Sequence, residues 1–252
     1  SGMLNQLMLL AKPHKFRFTV LTPESMDMLT EQHYDGAISI SANLGKEWVQ
    51  RFSIPLVEVN SGGCLFERVS SVIPDPDAEA FQAVEHLAKL GHRKIARIRV
   101  AVSPARPAEV GAQAFESAAQ KFGIADSVTQ CFLGPINADT IRQSLEPLVE
   151  QNYTAYIFVG SSDCESLFLP LLHSFGLRVP GDVSVIGYKN EISEFNWKYN
   201  QLTCFAFDFP ALAQNVVQLL NDELSGKAPS QVKVLSKLIV GKTTAPPPTD
   251  RT

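Results

Sequence analysis

Two apolar runs in this chain end in cationic side chains. In KIARIRV (94–100) Arg97 and Arg99 alternate with apolar residues, and VSVIGY (183–188) runs directly into Lys189 and Asn190. Guanidinium and ammonium groups gathered where short buried strands end can hold a phosphate or carboxylate through charge-assisted hydrogen bonds. Arg106, in the proline-rich stretch after the first run, is a third candidate for the same positive site. The competing reading needs no ligand: Arg97 and Arg99 lie on one exposed face of an edge strand, and Lys189 points to solvent.

Other chemistry finds less support. GSSDC (160–164) places a serine at a strand-to-helix turn, as a nucleophile elbow does, but lacks the closing glycine of that motif. His33, His86, His92 and His173 are possible bases, yet packing and capping explain His86 and His92 equally well. Asp163 could be a ligand group or simply a helix cap, and Trp197 a wall of a binding site or a residue packed under a loop. No histidines or carboxylates stand at helical i,i+4 spacing beside a third ligand, and no G-x-G-x-x-G follows a strand, so neither a metal nor a dinucleotide cofactor is expected. Cys64, Cys131, Cys164 and Cys204 lack C-x-x-C spacing and read as buried thiols.

Composition bounds the elements that must position these residues. A chain of 252 residues, 45% hydrophobic and 19% charged, can bury one large core or two modest ones. Its net charge of -4 argues against a surface built to hold a phosphate backbone. No apolar run approaches the roughly 20 residues of a membrane span, and no secretory leader is visible, so a cytoplasmic protein is expected. The opening Ser-Gly-Met resembles an expression scar, a hint that upstream residues were removed.

Strands are expected at 16–21, 36–40, 54–59, 94–100, 128–133, 155–159, 183–188 and 232–240, with helical periodicity in the segments between most of them. Phe81, Val84, Leu87 and Ala88 share one helix face, as do Leu212, Val216, Leu219 and Leu220. Asp75-Pro76 can open a helix, Gly91, Gly123 and Gly176 can each close one, and Pro147 and Pro170 should kink their helices or shift the boundaries. Repeated βα alternation predicts parallel sheets covered on both faces. The small residues and three prolines of 100–111 interrupt it, which predicts two subdomains with a crossover there. Ligands of such sheets gather at the carboxyl ends of strands, which singles out Asn60, Arg99 and 101–107, Pro135-Ile136, 160–163, Lys189-Asn190 and 205–208.

VEHLAKLGHRKIARI (84–98), GLRVPGDVSVIGYKN (176–190), QLTCFAFDFPALAQNVVQLL (201–220) and LIVGKTTAPP (238–247) together resemble the effector-binding core of LacI/GalR-family transcriptional regulators. The likeness runs from about residue 35 to the end, with the segments in the family's order. It implies an α/β fold of the periplasmic binding protein type I kind: two Rossmann-like subdomains with parallel sheets joined by three crossovers. Residues 3–99 with 208–228 would form one, and 103–204 with 232–249 the other. An effector would bind between them, and a homodimer would present a helix-turn-helix module to operator DNA; nothing in this sequence resembles that module. The family also has an interior strand before the one expected at 16–21, so either upstream residues have been omitted or the first sheet is rearranged.

The resemblance implies an effector site of Asn60, Arg99, Arg106, Ile136, Ser161, Ser162, Asp163, Lys189, Asn190 and Phe207. Several positions depart from the family's sugar- and purine-binding pattern. Gly111 stands where an arginine is usual, Ser161 to Asp163 replace Asn-Asp, and Lys189-Asn190 replace Asp-Asp. Phe207 replaces a common glutamine, and Ile136 a frequent aromatic. The expected effector is a small molecule, a sugar or an anionic derivative of one. The helix 78–90 is expected to bury Phe81 and Val84 and to turn Gln82, Glu85 and Lys89 toward a dimer partner. A periplasmic-type solute-binding protein is the alternative function, and a hydrolase built on 160–164 a remoter one.

Overall fold

The computed structural model describes residues 2–22, 25, 28, 33–40, 46–51, 53–59, 68–100, 111–133, 137–159, 164–189 and 201–249. The chain opens with α1 (Gly2–Ala11), β1 (Ala37–Ile40), α2 (Lys46–Arg51), β2 (Leu56–Val59) and β3 (Ser70–Pro74). There follow α3 (Pro76–Leu90), β4 (Ile95–Val100), α4 (Ala112–Lys121), β5 (Val128–Leu133), α5 (Ala138–Glu150) and β6 (Ala155–Val159). The last third holds α6 (Leu169–Ser174), β7 (Ser184–Lys189), β8 (Thr203–Ala206), α7 (Phe209–Leu224), β9 (Gln231–Val234) and β10 (Lys237–Ile239).

These elements form two compact units, Ser1–Asp75 with Asp208–Leu235, and Pro76–Phe207 with Ser236–Thr252. The chain passes from one to the other three times, as the resemblance implies. The first passage differs from expectation: it falls at 75/76, so α3 and β4 belong to the second unit rather than the first. The reason is pairing, since β4 is bonded to β5 on one side and β6 on the other. The proline-rich 100–111 stretch therefore joins β4 to α4 inside one unit. The other two passages, at 207/208 and 235/236, lie close to the expected returns.

The first unit holds a parallel sheet in the order β1-β2-β3-β9. Leu212, Ala213, Val216, Val217, Leu219 and Leu220 form the buried stripe of α7, and Met3 and Leu7 that of α1. Asp208 caps α7 by accepting the Ala211 N–H at 2.9 Å, and Pro210 lies in its first turn, where no N–H is needed. Residues 16–21, expected as a strand, form no ladder. Their alternation of Phe16, Phe18 and Val20 is strand-like, but Val20 is 63% exposed, and β1 has β2 as its one paired neighbour among the described residues.

The second unit is a six-stranded sheet in the order β10-β8-β7-β6-β4-β5, parallel except for the β10–β8 pair. Apolar clusters cover both faces, which is why its strands read as nearly continuous hydrophobic runs. On one face Phe158 stacks on Phe168 with ring centroids 3.8 Å apart, among Ile141, Leu145, Leu172 and Val185. On the other, Val84 and Leu87 of α3 and Phe115 of α4 meet Ile95, Ile157, Ile186 and Phe205. Gly91, Gly123 and Gly176 follow their helices at φ 102°, 67° and 76°, the left-handed stops expected of them. Pro170 stands in the first turn of α6 and so moves that boundary, whereas Pro147 lies inside α5 without ending it.

Asn137 opens α5 with a reciprocal cap: its Oδ1 accepts the Thr140 N–H at 2.9 Å, and its own N–H donates to Thr140 Oγ1 at 3.3 Å. Asn137→Ala is expected to cost about 1 kcal/mol in urea unfolding. A change within a few tenths of a kcal/mol would mean that solvent satisfies those amides equally well.

Candidate functional site

Parallel order makes β4, β5, β6, β7 and β8 end on the same rim of the second unit's sheet. From β4 the chain goes out to β5 on one side and then returns past β4 to β6 on the other. The strand order thus reverses between β4 and β6, a topological switch point of the kind at whose carboxyl end ligands of open α/β sheets bind.

Arg99 stands at this switch point. It pairs in register with Phe132 of β5 and Val159 of β6, one residue from the end of β4, and is half-buried. Arg97 pairs with Ile157, which pairs with Ile186, so two residues outward Arg99, Val159 and Tyr188 occupy one row. The reading of these arginines as the exposed face of an edge strand is thereby overturned: β4 is interior, and Arg97 is 2% exposed. Lys189 ends β7, in register with Ala206, one residue past the Arg99 row. Phe207 is half-buried beside the second chain passage. Asn60, Arg106, Ile136, Ser161, Ser162, Asp163 and Asn190 lie outside the described residues, as do the 160–163 turn and Trp197.

Behind Arg99 lies a buried polar group that the sequence reading did not assemble. Glu79, in the first turn of α3, is 4% exposed and hydrogen-bonds Tyr188. Burial, and then the Glu79 charge, hold the Tyr188 phenol well above its ordinary pKa, so it is neutral and can donate. Arg97 Nη1 donates to Gln130 Oε1 at 2.9 Å, and Gln130 Nε2 donates to Glu116 Oε1 at 3.0 Å. Burial pulls the Arg97 pKa down; Arg99 lowers it further, and Glu79 opposes that. Gly111, at φ 75°, makes room for this guanidinium: a Cβ there would lie 3.1 Å from Arg97 Nη2 and 2.9 Å from the Pro76 carbonyl oxygen. The sequence signal was a carboxylate on the apolar face of α3 and two arginines at strand period, each in want of a buried counter-charge.

The opposite end of the sheet is structural. His92 Nε2 lies 2.8 Å from the Ala245 carbonyl and 2.9 Å from Ser184 Oγ, while Nδ1 lies 2.9 Å from Thr154 Oγ1. A carbonyl can only accept, so Nε2 carries the proton and Nδ1 accepts from Thr154. His86 Nε2 meets Thr244 Oγ1 at 3.0 Å. Both histidines thus pin residues 244–245, in line with the packing explanation rather than catalysis. Cys204 is buried and Cys131 half-buried.

On α3, Val84 is buried and Phe81 half-buried against Phe122, with ring centroids 5.9 Å apart. Gln82 Nε2 donates to the Ser236 carbonyl at 3.2 Å, so its amide is engaged within the unit. Lys89 and Glu85 pair with each other at 2.9 Å on the exposed side.

Residues 84–244 match the model of the periplasmic binding protein-like domain. The chain belongs to that family. Catabolite control protein A of Priestia megaterium is 26% identical over 170 residues, 65% of this chain and 50% of that protein. The chain thus spans about half the length of the curated relatives it matches. Among solved structures, a LacI transcriptional regulator from a Rhodococcus species superposes with a TM-score of 0.79 at 23% identity, over 97% of this chain and 93% of that one. A LacI family transcriptional regulator from Enterococcus faecium with bound ribose gives 0.72 at 20% identity, over 98% and 95%. The resemblance to LacI/GalR effector-binding cores is borne out, and these relatives are transcriptional regulators rather than enzymes. Among the described residues no helix is long and apolar enough to cross a membrane.

Proposed function

We propose that this chain is the effector-sensing core of a LacI/GalR-type transcriptional regulator, binding a small molecule at the carboxyl rim of the six-stranded sheet. The observation that carries this reading is the switch point between β4 and β6 in a periplasmic binding protein-like chain whose curated relatives are transcriptional regulators. In this reading Arg99 and Phe207 are effector contacts at the described rim, and Lys189, Asn60, Arg106, Ile136, Ser161, Ser162, Asp163 and Asn190 are the further contacts. The ribose in the Enterococcus faecium regulator supports a ligand of sugar size. The protein works in the cytoplasm as a homodimer, with Glu85 and Lys89 of α3 and the adjoining Gln82 near the partner. Operator DNA is contacted by a separate module, and the effector alters its presentation through differential affinity for two states of the core.

A thermal-unfolding screen with ribose, glucose, sucrose and their phosphorylated or carboxylated counterparts tests the sensing role. A true effector at about 100 times its dissociation constant is expected to add about 2.7 kcal/mol of stability, several degrees in Tm. Unchanged melting with every compound at millimolar concentration would remove the reading. Sedimentation velocity tests the assembly: a dimeric mass is expected, weakened by charge reversal at Glu85 and Lys89 together.

A further inference from the structure

Residues 244–248 lie at the amino end of the six-stranded sheet, and two imidazoles fasten them there. His92 Nε2 donates to the Ala245 carbonyl at 2.8 Å, and His86 Nε2 lies 3.0 Å from Thr244 Oγ1. Ser184, at the start of β7, accepts the Ala245 N–H at 3.0 Å. Pro246, Pro247 and Pro248 have no N–H to donate, so the stretch cannot build a ladder of its own. A Cβ on Gly91 would lie 3.6 Å from Pro247 Cδ, so that ring rests beside the end of α3. Thr243 is held differently. Its carbonyl accepts the Val185 N–H at 2.7 Å, while its hydroxyl donates to the Val185 carbonyl at 2.7 Å and accepts the Thr203 N–H at 2.8 Å. The grip thus changes after Thr243, from strand backbone to side chains.

The two imidazoles are poorly placed to carry charge. Burial lowers the pKa of each; at His92 the Ala245 bond opposes this and His86 adds to it. A second proton on His92 would sit on Nδ1, to which Thr154 now donates, and the Thr154 hydroxyl would have to turn to the Lys94 carbonyl at 3.4 Å. No carboxylate among the described residues acts on either ring. Glu85 pairs with Lys89 and Asp182 with Arg178, Tyr153 turns to Thr129, Arg93 donates to the Ala88 and His92 carbonyls, and Lys94 donates to the Gln151 carbonyl. Lys237 and Lys242 are exposed. Solvating a charged ring therefore means moving what covers it, and a proline-rich stretch lifts more easily than paired strands open.

We propose that residues 244–248 form an acid-released strap, which charging of His86 and His92 lifts from the amino end of the sheet while the sheet stays paired. The sign follows from groups whose charged form is disfavoured in the folded chain: the strap is fastened above the ordinary histidine value of about 6.5 and released as pH falls below it. The device is independent of the effector reading, whose rim lies at the opposite end of the strands.

Amide hydrogen exchange followed by NMR on the whole chain tests it as pH is lowered from about 7.5. Ala245 is the reporter; the amides of Ser184 and Val185, bonded to the Thr154 and Thr243 carbonyls, are the controls. The Ala245 protection factor is expected to fall about tenfold or more while both controls keep theirs. The fall should approach a steepness of about two protons in the native chain and about one in His86→Gln. Adding His92→Gln, which keeps a donor for the Ala245 carbonyl and does not titrate, should abolish it. If that double variant fails to fold, which circular dichroism would report, the steepness in His86→Gln alone decides. Protection at Ala245 that persists until the sheet itself opens, or is lost there and at both controls together, overturns the strap. A fall of unchanged steepness in His86→Gln also overturns it, since the paired imidazoles would then not be the fastening.

Discussion

Glu79→Gln is expected to lower the unfolding free energy by about 3–5 kcal/mol, the cost of leaving a buried charge without its partner. Glutamine keeps the volume and can still bond Tyr188, so the loss isolates charge rather than packing. Glu79 and Arg97 are 4% and 2% exposed, and removing the carboxylate takes away a charge that favours the Arg97 guanidinium while Arg99 still opposes it. Adding Arg97→Met should return most of the loss, because an apolar replacement of both partners is close to neutral. Urea unfolding of the two single variants and the double gives the coupling directly. A single-variant cost below about 1 kcal/mol, or strictly additive losses, would mean that the pair is solvated and not a buried counter-charge.

His92→Ala should be nearly as damaging, at about 3 kcal/mol, because it strips a partner from Thr154, Ser184 and the Ala245 carbonyl together. It should also flatten the acid side of the stability profile. Burial lowers the His92 pKa, the Ala245 bond opposes this, and His86 adds to it; burial likewise lowers His86. For a group depressed in the folded state the stabilisation is complete above its unfolded value, near 6.5, and is lost as pH falls below that toward the folded value. The native chain should therefore weaken as pH falls below about 6.5, and the His92→Ala chain less so, with His86 supplying the remainder. A native profile flat across that interval would contradict the neutral, buried imidazole.

How far the sequence carried these conclusions depended on where each residue's partner lay. The strands 95–100, 128–133, 155–159 and 184–189 were visible because apolar layers cover both faces of their sheet. β3 and β8 went unseen because they are short and begin with hydroxyls, Ser70, Ser71 and Thr203, all fully buried. Their polarity is satisfied at long range: Ser70 Oγ accepts the Ser230 N–H at 3.0 Å, Ser71 Oγ accepts from Gln231 at 3.1 Å, and Thr203 Oγ1 accepts the Gly241 N–H at 3.0 Å. The run 232–240 looked like one strand, but its alternation continues across a passage between units and serves β9 in one and β10 in the other. Residues 16–21 carry strand periodicity without a ladder, a reminder that alternation specifies a face and not a partner.

The site divides in the same way. Arg99 and Lys189 could be placed at strand ends from local pattern, because the carboxyl rim of a parallel sheet follows from βα alternation. The burial of Arg97 could not, since Glu79 lies 18 positions earlier on a helix and Tyr188 on a strand assigned to the other subdomain. Placing the first passage at 100–111 instead of 75/76 put α3 and β4 in the wrong sheet and so hid the Glu79, Tyr188 and Arg97 group. Proline and small residues mark a loop, and whether that loop leaves the unit is decided by pairing on both sides of β4.

Hydrogen exchange of the chain, with and without the tightest compound from the ligand panel at saturation, tests the central claim most directly. The account predicts slowed exchange confined to the carboxyl rim, at 99–107, 160–163 and 188–191, with the His92 end, 91–94 and 153–155, unchanged. Protection centred on the His92 end, or none at the rim despite measurable binding, would contradict it.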